Sequence, residues 1–219
     1  MNEQIKILGY HGTDKDSAKS ILSQNAFDQS NNDDDWLGRG VYFYDNVQNS
    51  ILYNIRQFIN NYKIYPEYKD LSKERKILVA QIECDSEDVF DLNDIENIRK
   101  FIGLWKMFYE RVKENQKYKS LKYKDGYMLN WLFDNTNYFD GCKIILNIFT
   151  LDLKFHRNID EMFNNKTRIG YTLQQKFICV IDNDCIKSVS LYNKNYQGKY
   201  NTIKDLTNNI LMVGDKNEN

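Results

Sequence analysis

The stretch Leu37-Gly38-Arg39-Gly40-Val41-Tyr42-Phe43-Tyr44 constrains this chain more than any other. Two glycines flanking one residue permit a tight turn, and the β-branched and aromatic run that follows favours a strand entered straight from it. Asp45, with Gln48 three residues on, has the spacing of a capping box, and Ile51, Leu52, Ile55, Phe58 and Ile59 recur at helical spacing. The pattern predicts a strand that feeds directly into a helix.

Other elements fall around this junction. Residues 5–12 read as a short strand ending in a turn, after which Thr13 or Asp14 caps a helix with Ala18, Ile21 and Leu22 on one stripe. A polar loop spans 25–35. Apolar runs at 77–82 and 89–92 have strand length, and 93–115 is helical in pattern, with Ile98, Trp105 and Phe108 on its broad apolar face. Trp131, Leu132 and Phe133 belong to a further helix, 142–149 to a strand, and 174–181 to another strand preceded by an Asn- and Lys-rich loop at 160–170. The alternation is too irregular for a doubly wound parallel sheet, and no G-x-G-x-x-G follows a strand, so an α+β fold is expected. The expected organisation is one domain over 1–213 with a helical insertion at about 93–135, followed by a disordered tail at 214–219.

Composition removes several classes of function. With 42% hydrophobic and 28% charged residues in 219, disorder along most of the chain is excluded. Thirty Lys and Arg against 31 Asp and Glu leave no global field for duplex DNA or anionic lipid, so any nucleic-acid contact is local. Cys84, Cys142, Cys179 and Cys185 form no C-x-x-C pair, and His11 and His156 are the only histidines, so a zinc set and metal catalysis are not expected. The thiols read as reduced. No signal-peptide core or membrane-length apolar run is present, so a cytoplasmic protein without membrane attachment is expected.

Three separated pieces resemble one family. Tyr10-His11-Gly12-Thr13, then the Leu37 to Phe43 segment, then the strand opening at Gln174-Gln175 are similar to the three parts of the NAD site in ADP-ribosyltransferases of the diphtheria-toxin and poly(ADP-ribose) polymerase type, known for a His, Tyr, Glu triad. The resemblance runs over roughly 5–189 and is most specific from Tyr10 to Tyr53. It implies two small packed sheets, antiparallel or mixed, split around an NAD cleft and flanked by helices. It also implies that NAD is the substrate and that no metal takes part.

On that resemblance, His11, Tyr42 and Gln175 occupy the triad positions, with Gln174 the alternative for the third. Ser50 and Tyr53 stand eight and eleven residues beyond Tyr42, where the family places a Ser and a second stacking Tyr. Tyr42 and Tyr53 then hold the cationic nicotinamide by stacking and cation–π attraction. The backbone of Gly12 and the hydroxyl of Ser50 bond the carboxamide, Thr13 belongs to the same NAD-binding segment, and His11 bonds a ribose hydroxyl. Arg39 is a candidate for the NAD diphosphate, weighed against a solvated loop arginine.

Glutamine in place of the usual Glu supplies no negative charge for the developing sugar cation and no base for the acceptor. The resemblance therefore implies transfer of a single ADP-ribose to a protein or nucleic acid, rather than polymer growth. A toxin or phage-defence effector of a bacterium, kept in check by an antitoxin or other neutralising partner, fits such an activity. The rival expectations are a catalytically silent NAD or ADP-ribose binding module and an NAD glycohydrolase. RNA 2'-phosphotransferases share the fold but use further His and Arg positions. Two segments carry secondary expectations: 117–124, which interleaves Lys with Tyr as a single-strand platform or simply as a solvated helix end, and 164–171, which corresponds to the family's acceptor-facing loop.

Overall fold

The strands β1 (Gln4–Asp14) and β3 (Arg75–Asp85) pair antiparallel along their whole length, from Gln4 opposite Asp85 to Asp14 opposite Arg75. The computed structural model describes residues 3–32, 35–64, 66–121, 124–151 and 173–193. The expected loop at 164–171, the tail at 214–219, Lys122, Tyr123, His156 and the side chain of Gln174 lie outside the described residues. The remaining strands are β2 (Val41–Tyr44), β4 (Val89–Asp91), β5 (Ile144–Leu151), β6 (Leu173–Val180) and β7 (Ile186–Leu191). They form a seven-stranded mixed sheet in the order β4-β5-β6-β2-β1-β3-β7, with β4 and β5 parallel and the other pairs antiparallel.

Six α-helices among the described residues complete an α+β fold: α1 (Lys15–Gln24), α2 (Val47–Tyr62), α3 (Tyr68–Glu74), α4 (Ile95–Val112), α5 (Gln116–Ser120) and α6 (Asp125–Asn135). Asp14, not Thr13, caps α1, accepting from the amides of Asp16 and Ser17. The cap of α2 is Asn46, which accepts from the Asn49 amide at 2.9 Å, so the helix starts one residue later than the Asp45/Gln48 spacing predicts. Parallel neighbours need a crossover, and α4 to α6 provide it between β4 and β5.

Strand alternation divides the core between the two faces of the sheet. On one face Ile144, Leu146, Ile178 and Val180 join Phe43, Leu78 and Ile82 under α1. On the other, Ile145, Phe177 and Cys179 pack against Phe108, Met128, Leu129 and Leu132 of the crossover helices. Full burial of a side chain such as Phe43 contributes about 2 kcal/mol.

Instead of two separate small sheets, the strands make one continuous sheet with a weak seam. The halves β7-β3-β1 and β2-β6-β5-β4 meet through a single register pair, Tyr10 opposite Tyr44. Extending that register would set Gly12 opposite Tyr42, yet no pairing forms there. The two strands part, and the site lies in the gap.

Candidate functional site

A cleft of about 530 Å³ opens beside the seam, lined by His11 and Gly12 of β1, Tyr42 and Tyr44 of β2, Tyr53 and Arg56 of α2, and Gln175 and Phe177 of β6. Asp28, Asp35 and Trp36 line it as well. Of the residues singled out by sequence, His11, Gly12, Tyr42, Tyr53 and Gln175 share this cavity. Ser50, Thr13 and Arg39 are not among its lining residues.

His11 bridges the parted strands. Its Nδ1 lies 2.7 Å from the Tyr42 carbonyl oxygen, which can only accept, so Nδ1 carries the proton and Nε2 is the free lone pair of the neutral ring. Burial against Phe27 and Phe43, at 5.2 and 5.7 Å between ring centroids, depresses the His11 pKa below 6.5. The Tyr42 carbonyl opposes that shift and the Arg75 charge adds to it. At neutral pH the cleft therefore meets an uncharged imidazole that accepts at Nε2.

The Tyr42 hydroxyl is already committed. It donates to the Gly38 carbonyl at 2.6 Å and accepts from the Leu37 amide at 2.9 Å, which ties the ring to the turn ahead of its own strand. Burial pushes its pKa well above the usual phenol range, so Tyr42 offers the cleft a neutral aromatic face and not a proton. The turn needs its glycines, because Gly38 and Gly40 sit at φ of +75° and +153°. From α6, the side-chain carbonyl of Asn130 accepts from the Arg39 amide at 2.7 Å and fixes the loop to the crossover helices.

Tyr53 is braced by Tyr44, 6.4 Å away between centroids, and by the Arg75 guanidinium, 5.9 Å from its ring centre. The Arg75 Nε also donates to Asn54 at 3.1 Å. Gln175 is 1% exposed, and its Nε2 donates to the Asn49 side-chain oxygen at 3.2 Å. With that N–H engaged, Oε1 remains to accept from a ligand. Asn49 itself is 5% exposed and its Nδ2 has no hydrogen-bond partner.

Three of the expected residues stand outside the cavity lining. Ser50 is fully buried and its hydroxyl donates to the Tyr10 carbonyl at 2.9 Å, so it pins α2 to β1 instead of projecting beside Tyr53. Thr13 is 8% exposed and sits opposite Lys76 in the β1–β3 ladder. Arg39 pairs with Asp134 at 2.8 Å and lies over Phe133 at 5.2 Å, on the side of the turn that faces α6. Gly12 is close-packed for a protein reason as well, since a Cβ there would stand 2.8 Å from Asn54 Oδ1 and 3.0 Å from the Ser50 carbonyl oxygen.

The secondary stretch at 117–121 is partly structural. Tyr118 is buried against Phe108, and Lys117 and Lys124 lie over the rings of Tyr127 and Tyr118. All four cysteines are free thiols. Among the described residues no group of three or more His, Cys, Asp or Glu could hold a metal ion, and no helix is long and apolar enough to cross a membrane.

Sequence reasoning passed over Asn49, Tyr44, Arg56, Gln57, Asn60 and Trp36. A signal existed for most of them. Tyr53, Arg56, Gln57 and Asn60 line the cavity and recur at helical spacing on a flank of α2 apart from buried Leu52, Ile55 and Phe58, and Tyr44 shares the strand face of Tyr42.

Comparison with known proteins adds one relative. The chain is similar to an uncharacterized protein of the archaeon Methanocaldococcus jannaschii, 25% identical over 196 residues that cover 89% of this chain and 88% of that one. No family model and no solved structure matches.

Proposed function

We propose that this protein is a mono-ADP-ribosyltransferase of the His-Tyr-Glu type, with Gln175 in the third place, that cleaves NAD in the cleft at the seam. The observation that carries this reading is the convergence of His11, Gly12, Tyr42, Tyr53 and Gln175, drawn from four elements, on one cavity. Nothing in the packing of the β1–β3 ladder alone requires that assembly.

The chemistry follows from the groups. Tyr42 and Tyr53 present aromatic faces for a flat cationic pyridinium, each contact contributing about 0.5–2 kcal/mol. Nε2 of His11 accepts from a ribose hydroxyl, and Oε1 of Gln175 accepts from another. Held so, the ribose C1'–N bond breaks and its electron pair leaves with neutral nicotinamide. The acceptor nucleophile then bonds to C1', and its proton passes to water or to a base on the acceptor, since the Gln175 amide cannot take it. One ADP-ribose is transferred and no polymer grows. The fold proposed is that of the ADP-ribosyltransferases, with its two sheets fused at the seam.

The activity proposed is that of a cytoplasmic toxin or phage-defence effector held by a neutralising partner. Labelled NAD incubated with cell lysate and the protein, followed by separate protease and nuclease digestion, tests it. Label removed by one treatment identifies the acceptor as protein or nucleic acid, and release of nicotinamide with no labelled macromolecule would make the protein an NAD glycohydrolase. The amide-to-amide contact of Gln175 with Asn49 favours a second reading, a silent NAD or ADP-ribose binding module, which binding without nicotinamide release would identify.

A further inference from the structure

We infer that Arg56, and not Arg39, is the anion receptor of the cleft, taking the diphosphate of a nucleotide ligand. This rests on the NAD reading above and adds to it the residue that holds the charged middle of the ligand.

Arg56 is the one Lys or Arg among the described residues that line the cavity. It is half-buried, and no described hydrogen bond or ion pair engages its guanidinium. The neighbouring arginines are committed: Arg39 to Asp134 and the Phe133 ring, Arg75 to Asn54 and the Tyr53 ring. A half-desolvated guanidinium with open donors is suited to two phosphate oxygens at once, a fit that a carboxamide or an ammonium does not reproduce.

Position agrees with charge. Arg56 follows Tyr53 by three residues on α2, so the two side chains leave the same helix face about 5–6 Å apart at Cβ. A ligand whose aromatic cation stacks at Tyr53 carries its phosphates one sugar further on, within the span of an extended arginine. The other charged side chains that line the cavity are Asp28 and Asp35, the latter held by Ser30 Oγ at 2.6 Å and the Asn32 amide at 2.8 Å. Those carboxylates repel phosphate, so Arg56 is the lining group beside which an anion settles.

Calorimetric titration of the full chain with ADP-ribose and with adenosine tests the assignment. Arg56→Gln is expected to weaken ADP-ribose about 10- to 100-fold, the loss of one or two charge-assisted hydrogen bonds, and to leave adenosine affinity unchanged. Arg56→Lys retains part of the affinity, Arg39→Gln retains all of it, and binding weakens as salt is raised in every form except Arg56→Gln. Equal ADP-ribose affinity in wild type and both Arg56 variants overturns the assignment while the NAD reading stands. If the wild-type protein binds neither ADP-ribose nor NAD, both fall together.

Discussion

The imidazole Nδ1 of His11 donates to the backbone carbonyl of Tyr42 at 2.7 Å, across the gap where β1 and β2 cease to pair. A side chain thus takes the place of a ladder hydrogen bond at the seam. The same bond fixes the tautomer, so one ring both holds the two halves of the sheet together and presents an acceptor to the cleft. Structure and site chemistry are coupled through this residue.

The coupling has a pH signature. Burial depresses the His11 pKa below its ordinary 6.5, so between the folded value and 6.5 the unfolded chain binds more protons than the folded one. The stability associated with the neutral ring is full above 6.5 and is lost as pH falls through the folded value, with a slope of at most about 1.4 kcal/mol per pH unit. Urea midpoints at about pH 5 and 7.5 are expected to diverge in the wild type and to draw together in His11→Asn, whose amide can still donate to the carbonyl. An equal pH dependence in both forms would show that His11 does not titrate as its burial requires.

Ser50 gives a test that separates scaffold from site. Ser50→Ala leaves the Tyr10 carbonyl without its partner and is expected to cost about 1 kcal/mol of stability. The affinity for NAD should change less than threefold, about 0.6 kcal/mol. A normal melting temperature with sharply weakened NAD binding would return Ser50 to the ligand.

Gly12→Ala is expected to be more damaging, because the new methyl meets Asn54 Oδ1 at 2.8 Å and the Ser50 carbonyl at 3.0 Å. Both atoms belong to α2, so relief requires that the helix move off β1, at about 1–3 kcal/mol. Thermal melts and NAD titration should fall together, since the displaced helix carries Tyr53 and Arg56.

Gln175→Glu probes the missing charge. A carboxylate there would face the developing sugar cation, and turning the Asn49 amide over would let its unpartnered Nδ2 donate to it. Turnover of NAD is expected to rise about 10-fold or more. If the variant folds, binds NAD and turns over no faster than wild type, the third position has no electrostatic part in the reaction.

Much of this arrangement could be read from the chain because local and tertiary signals agree. The Gly38–Gly40 turn demands positive φ, the Val41–Tyr44 run is β-prone, and α2 begins almost at once, so Tyr42 and Tyr53 are brought to one place by short-range geometry. For Ser50 short-range geometry is not enough. Spacing sets Ser50 and Tyr53 near one another on α2, but only the approach of β1 decides that the first is buried and the second open. Arg39 was decided by α6, more than ninety residues on, which supplies Asp134 and Asn130. β7 and α3 left almost no trace, since Ile186–Leu191 is an edge strand with Lys187, Ser188, Ser190 and Leu191 exposed, and among the described side chains of Tyr68–Glu74 Leu71 alone is fully buried.

The most direct measurement is chromatography of free nicotinamide after incubation of the purified protein with NAD, in parallel for wild type, His11→Ala and Tyr53→Ala. Nicotinamide should be released by the wild type and fall about 100-fold or more in each variant, the penalty for a reacting centre no longer held in place. Release that is unchanged by either substitution, or a wild-type protein that neither binds nor cleaves NAD, would contradict the account.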